Sequence, residues 1–183
     1  MIEEQSLVSA LQSVAHKETA FRELVSLYKE RLYWHVRKIL LDHDDTDDVL
    51  QNTFIKIFRN IDKFKGDSKL YTWMYRIATN EALTFLSKKA KRAGTSSEEV
   101  MNHAISNLES DVYFEGSEIQ LQLQKAIATL PPRQQLIFNM KYFDDITYED
   151  LSEVLDTSVG GLKSSYHIAV QKIKAYLTDN ETF

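Results

Sequence analysis

The chain has 183 residues, 43% of them hydrophobic, with 27 acidic and 22 basic side chains for a net charge of −5, and no cysteine. The missing thiols exclude a disulfide framework, a thiolate metal site and a thiol nucleophile. No apolar run is long enough to cross a bilayer, and the start MIEEQSLVSALQSV lacks the layout of a secretory signal, so a cytoplasmic protein without membrane insertion is expected.

Five glycines and two prolines are few for the turns of a β-rich protein, and the apolar spacing predicts an all-α chain. A first helix is predicted along Phe21, Leu24, Val25, Tyr28, Leu32, Val36, Ile39 and Leu40, which recur three or four residues apart. A second starts in the acidic run Asp42 to Asp48, where carboxylates favour a helix N-terminus, and continues through Leu50, Phe54, Ile57, Phe58 and Ile61. After a break at Lys65-Gly66-Asp67-Ser68, with Asp67 or Ser68 as the expected cap, a third runs from Leu70 through Trp73, Met74, Ile77, Ala82 and Leu86 into a basic end. Three such helices are enough to enclose one core.

Residues 93–118 read as an acidic linker, with a short helix around Val100 to Leu108. Six acids lie there (Glu98, Glu99, Glu109, Asp111, Glu115, Glu118) without a Lys or Arg, and taking six negative charges from a net −5 leaves the rest at +1. Ile119, Leu123, Ile127 and Leu130 then share a helical face that Pro131-Pro132 terminates. Leu136, Ile137, Met140 and Phe143 mark the next helix.

The strongest local signal begins at Thr147, in TYEDLSEVLDTSVGGLKSSYHIAVQKIKAYL. Thr147 and Asp150 have capping-box spacing, Asp156-Thr157 make a tight turn, and Ser158 caps a second helix with Leu162, Tyr166, Ala169, Val170, Ile173 and Leu177 inward. A short helix, a turn and a second capped helix form a helix-turn-helix. Bare amides at Gly160 and Gly161 can approach a phosphate, and Lys163, Ser164 and His167 face outward toward phosphates or base edges. A plain helical hairpin with solvated polar residues is the competing reading of this segment taken alone.

In the first half, Asp47, Asp48, Gln51 and Asn52 form a polar face beside Phe54 and Phe58, suited to a basic helical partner or explained by capping alone. Lys63, Lys65, Lys69, Tyr71, Trp73, Tyr75 and Arg76 interleave cations with rings, a pattern that suits single-stranded nucleic acid; Trp73, on the apolar stripe, is expected in the core. The glycines form no phosphate-binding loop and the five histidines show no metal-ligand spacing, so neither catalysis, a metal nor a cofactor is expected.

The order DDTDDVLQNTFIKIF, FKGDSKLYTWMYRIATNEAL, a basic end, an acidic linker, LPPRQQLIFNMKYF, TYEDLSEVL and SVGGLKSSYHIA resembles the extracytoplasmic-function (group IV) sigma factors of the sigma-70 family, from about Phe21 to Leu177. The resemblance implies two small helical domains: a region 2 domain at 1–92, the acidic linker at 93–118, and a region 4 helix-turn-helix domain at 119–183. It implies binding to core RNA polymerase, with Asp47, Asp48, Gln51, Asn52 and Phe54 on the clamp helices of the largest subunit and a further contact to the flap region. It implies that Lys63, Lys65, Gly66, Asp67, Ser68, Lys69, Tyr71, Arg76 and Asn80 meet the melted −10 strand. It also implies that Thr147, Ser158, Gly160, Gly161, Lys163, Ser164, Ser165 and His167 meet the −35 duplex. Relatives are often held by an anti-sigma factor, frequently membrane-bound.

The chain departs from the family where recognition helices commonly carry arginine and this one has Ser165, Ile168 and Val170. Arginine on guanine is the commonest specific base contact, so phosphate contacts and DNA shape carry more of the readout here. A flexible linker of about 25 residues has ends ~25–30 Å apart on average. Free in solution, the two domains could therefore fold against one another and hide their DNA surfaces. A stand-alone helix-turn-helix regulator, binding operator DNA without polymerase, is the alternative.

Overall fold

The computed structural model describes residues 4–106 and 118–180, and these hold nine α-helices and no strand, an all-α fold as the spacing predicts. Residues 107–117 of the acidic linker, including Glu109, Asp111, Glu115 and the Leu108 end of its expected helix, lie outside the described residues.

Helix α1 (Glu4–Leu11), which the apolar spacing did not single out, buries Leu7 and Leu11 against α2 (Lys17–Leu40). Helix α2 stops at Leu41, a left-handed residue with φ 58° whose N–H donates to the Arg37 carbonyl at 2.8 Å. Asp42 then caps α3 (His43–Asn60), its carboxylate accepting from the Asp45 N–H at 2.9 Å, so the acidic run works at a helix start as expected. A 3-10 turn (Ile61–Lys63) and a loop with Gly66 at φ 78° lead to α4 (Leu70–Ala93).

The expected cap of α4 is corrected by the structure. Neither Asp67 nor Ser68 caps the helix; Lys69 holds the N-cap position but its side chain caps nothing, and the Leu70 N–H donates to Glu4 Oε1 at 2.8 Å. A carboxylate from 66 residues upstream thus satisfies the orphan donor, which a purely local motif cannot reveal.

Within the linker, α5 (Ser97–Ser106) begins with a reciprocal capping box. Ser96 Oγ accepts from the Glu99 N–H at 3.1 Å, and Glu99 Oε2 accepts from the Ser96 N–H at 3.4 Å. Met101 and Ile105 are buried, packing α5 on α4.

The second half comprises α6 (Glu118–Ala128), α7 (Pro132–Tyr142), α8 (Tyr148–Leu155) and α9 (Val159–Asn180). Ile127 and Leu130 are buried as expected, but Ile119 is 80% exposed and leaves the α6 stripe. Phe143 lies just past α7 with its ring partly in solvent.

Two clusters make the core. The smaller (Ala126, Ile127, Leu130, Phe138, Ala169, Ile173) belongs to the second half. The larger runs from α1–α4 directly into Leu136, Ile137, Met140, Ile146, Leu151, Val154 and Leu162, so the two halves share apolar packing across a seam where α8 lies on α4 and α7 touches α2.

Candidate nucleic-acid interface

Three surfaces carry the residues singled out in the sequence. On α3, Asp47, Asp48, Gln51 and Asn52 are exposed in one strip, while Phe54 is half-buried edge-on to Phe21 at 6.3 Å between centroids. Buried Val49, Leu50, Thr53 and Ile57 hold the opposite side of that helix in the core, so the polar strip points outward by necessity.

On α9, Ser158 caps the helix by accepting the Gly161 N–H at 3.2 Å, as its position predicts. Asp156 takes the left-handed conformation at φ 49°, and Thr147 caps α8 by accepting the Asp150 N–H at 3.1 Å. Leu162, Ala169 and Ile173 are buried, which turns Gly160, Lys163, Ser164 and His167 to solvent; Gly161 and Ser165 are half-buried at the edge. Of the three positions that depart from the family pattern, Ile168 is exposed, at 45%, while Ser165 and Val170 are half-buried. The Lys163 ammonium sits 5.6 Å from the Tyr148 ring centre.

The third surface is the loop before α4 and the first turns of that helix. Lys63, Lys65, Gly66, Asp67, Arg76 and Asn80 are exposed and Ser68 is half-buried. Trp73 is half-buried with its ring 5.4 Å from Phe64, so it is a partial member of the core rather than a full one. Tyr75 is fully buried. Loss of water on burial, and then the negative charge of Asp144, push the Tyr75 phenol far above its ordinary value.

Lys69 is exposed and Tyr71 half-buried, but the polar end of each is already engaged. Both bond Asp150, a residue of α8 that is only 6% exposed. Asp150 Oδ2 accepts from Lys69 Nζ at 3.0 Å, from the Tyr71 hydroxyl, and from the Thr147 hydroxyl at 2.8 Å; Oδ1 accepts from the Thr72 hydroxyl at 3.2 Å. Burial alone would raise this carboxyl, but the bonds from Tyr71, Thr147 and Lys69 outweigh it and hold the group below its ordinary value. Burial and the bond to Asp150 raise the Tyr71 phenol correspondingly.

A second polar contact spans the seam at Asp144. Its carboxylate bonds His35 Nδ1 at 3.2 Å and the Lys38 ammonium, while His35 Nε2 bonds the Thr79 hydroxyl at 2.8 Å. Here too burial pushes the carboxyl up and the His35 and Lys38 contacts bring it below the ordinary range. Asn139 Nδ2 donates to the Lys38 carbonyl at 3.3 Å beside them.

Several of these residues were not read from the sequence. Arg31 of α2 lies 5.1 Å from the Tyr71 ring centre and 5.5 Å from that of Tyr75, at the edge of the third surface. Arg31, His35, Lys38, Asp144 and the seam role of Asp150 leave no local signature, because their partners lie 40 to 109 residues away. Among the described residues no group of three His, Asp or Glu side chains could hold a metal ion, and no helix is long and apolar enough to cross a membrane.

A helical, two-part protein with a capped helix-turn-helix defines a class of transcription proteins, and comparison narrows it. The family model for sigma-70 region 2 matches residues 24–92, and that for sigma-70 region 4 matches residues 120–173. An ECF RNA polymerase sigma-E factor of Haemophilus influenzae is 30% identical over 93% of this chain and 93% of its own length. The ECF RNA polymerase sigma factor SigW of Bacillus subtilis is 28% identical over 88% and 91%. The structure of CnrH in complex with the cytosolic domain of CnrY shares the fold at TM-score 0.71 and 18% identity, over 97% of this chain and 99% of that one. The sigma factor RpoE of Bartonella quintana, in complex with the anti-sigma factor NepR, shares it at TM-score 0.68 and 19% identity, over 88% and 98%. The chain belongs to the extracytoplasmic-function sigma factors of the sigma-70 family.

Proposed function

We propose that this chain binds core RNA polymerase, directs it to specific promoters and promotes opening of the DNA there, acting without catalysis of its own. The observation that carries this reading is the division of surfaces. The exposed acidic strip on α3, the cationic and aromatic edge of α4 and the open polar face of α9 lie on different helices, each backed by core residues. Each therefore presents a distinct polar surface, suited to a different partner.

In this reading Asp47, Asp48, Gln51 and Asn52, with Phe54 beneath, meet the clamp helices of the largest polymerase subunit. Region 4 adds the flap contact. Lys163, Ser164, Ser165 and His167, with the backbone at Gly160, engage the −35 duplex, while the Gly161 N–H is already taken by Ser158 Oγ. The exposed members of that set are mostly suited to phosphate contact and shape readout; Ile168, exposed beside them, has an apolar surface that fits a thymine methyl. Lys63, Lys65, Gly66, Asp67, Ser68, Lys69, Tyr71, Arg76 and Asn80 line the edge that takes the unstacked −10 strand, where a base stacking on a ring is worth about 1–3 kcal/mol. In this reading the chain works in the cytoplasm, and an anti-sigma factor, as bound to RpoE in the similar structure, is a further partner class. The test is transcription in vitro. The chain added to core enzyme should yield transcripts from a cognate promoter, whereas tight operator binding by the chain alone in a gel shift would favour the stand-alone regulator.

A further inference from the structure

The contact between Asp150 and the first turn of α4 has a form that packing does not require. Three donors from one half (the Lys69 ammonium and the Tyr71 and Thr72 hydroxyls) converge on both oxygens of one carboxylate from the other half. Nothing in the trio needs an acceptor with carbon behind it. A two-oxygen edge carrying negative charge satisfies it, and a phosphodiester presents the same edge. Lys69 and Tyr71 of the trio also belong, with Lys65, Arg76 and Asn80, to the edge that the proposed function assigns to single-stranded DNA; Thr72 lies buried beside them, and Arg31 sits 5.1 Å from the Tyr71 ring centre.

We infer that Lys69, Tyr71 and Thr72 form an oxyanion subsite for a backbone phosphate of the unwound promoter strand, and that in the free chain Asp150 of region 4 occupies it. The occupant and the strand exclude one another. Seating the phosphate requires α8 to leave α4, which also parts Asp144 from His35 and Lys38 across the same seam. Asp150 is well placed for this duty: it is nearly buried, yet the Lys69 side chain it holds is 57% exposed, so an incoming strand can reach the cation before the carboxylate has left. The latch would lower the affinity of the free protein for single strands by the fraction of time the seam is closed. This inference rests on the reading of the α4 edge as strand-facing.

The absence of cysteine makes the test direct. Dyes on cysteines introduced at exposed Ser26 of α2 and Gln171 of α9 report separation of the halves, and anisotropy of a labelled oligothymidylate reports strand binding by the full chain. Asp150→Asn should bind the oligonucleotide about five- to tenfold more tightly than the parent, with the dyes moving apart. Adding Lys69→Gln and Tyr71→Phe should abolish that gain. Asp144→Asn, which loosens the same seam without touching the α8 cap, should shift both readouts in the same direction by less. Unchanged oligonucleotide affinity in both single variants would overturn the inference. So would a gain that survives loss of Lys69 and Tyr71, or opening by inorganic phosphate as effective as opening by the oligonucleotide. The assay contains no polymerase, so failure to bind core enzyme would be a separate result, directed at the proposed function.

Discussion

At the scale of single residues, the seam depends on two carboxylates whose environments differ from those of the exposed acids. Asp144 faces His35 and Lys38, with the Tyr75 phenol nearby, and Asp150 faces Lys69 and Tyr71; both carboxyls are held below the ordinary value of 3.8. A group whose pKa is depressed on folding contributes stability that is fully present above its unfolded pKa and is lost as pH falls through the lowered one. The contribution of these two groups should therefore be constant down to about pH 4 and be lost only below it. Separation of the dye pair across an acid titration checks this, and the titration should be flatter in that acid range for the Asp144→Asn, Asp150→Asn double variant. Glu4 acts by the same chemistry at an end of a helix. Because its carboxylate takes the Leu70 N–H, Glu4→Ala should cost about 0.5–2 kcal/mol, the usual value of a lost cap, and should speed hydrogen exchange at Leu70.

At the scale of elements, helix-turn-helix geometry was readable because its determinants are local. Thr147 and Ser158 cap the helices that follow them, and Asp156 turns the chain in the left-handed conformation. An L-residue is strained there and glycine is not, so Asp156→Gly should leave the fold intact and raise stability by up to about 1 kcal/mol, seen as a higher Tm. Helices α2, α3 and α4 were likewise legible, since each has an apolar stripe of several turns. Helix α1 was not: eight residues with two buried leucines give too short a pattern to separate from a polar leader, and its stability comes from packing on α2. The start of α4 failed for the same reason in reverse. Asp67 and Ser68 had suitable chemistry, but a distant carboxylate reached the donor instead.

At the scale of the molecule, the polar strips on α3 and α9 could be read in advance, because burial of one side of a helix fixes what the other side presents. The closed arrangement of the two halves could not be read, because it rests on pairs such as His35 with Asp144 and Lys69 with Asp150, separated by 109 and 81 residues. Coil statistics for the linker allowed closure without specifying which faces meet. The apolar part of the seam should be felt in both halves. Leu151 is fully buried and belongs to the cluster shared by the two halves, so Leu151→Ala should cost about 2–5 kcal/mol and lower the melting temperature. The central claim is that the α3 strip joins this chain to core polymerase and that the assembled enzyme opens promoter DNA. Its most direct test is a reconstitution of core enzyme with the full chain and with an Asp47→Lys, Asp48→Lys variant, scoring assembly by co-purification and strand opening by permanganate reactivity of thymines near −10. The account predicts assembly and reactive thymines with the parent chain, and loss of both with the variant while its helical content stays unchanged. A parent chain that fails to co-purify with core enzyme, or a variant that assembles and opens DNA as well as the parent, would contradict it.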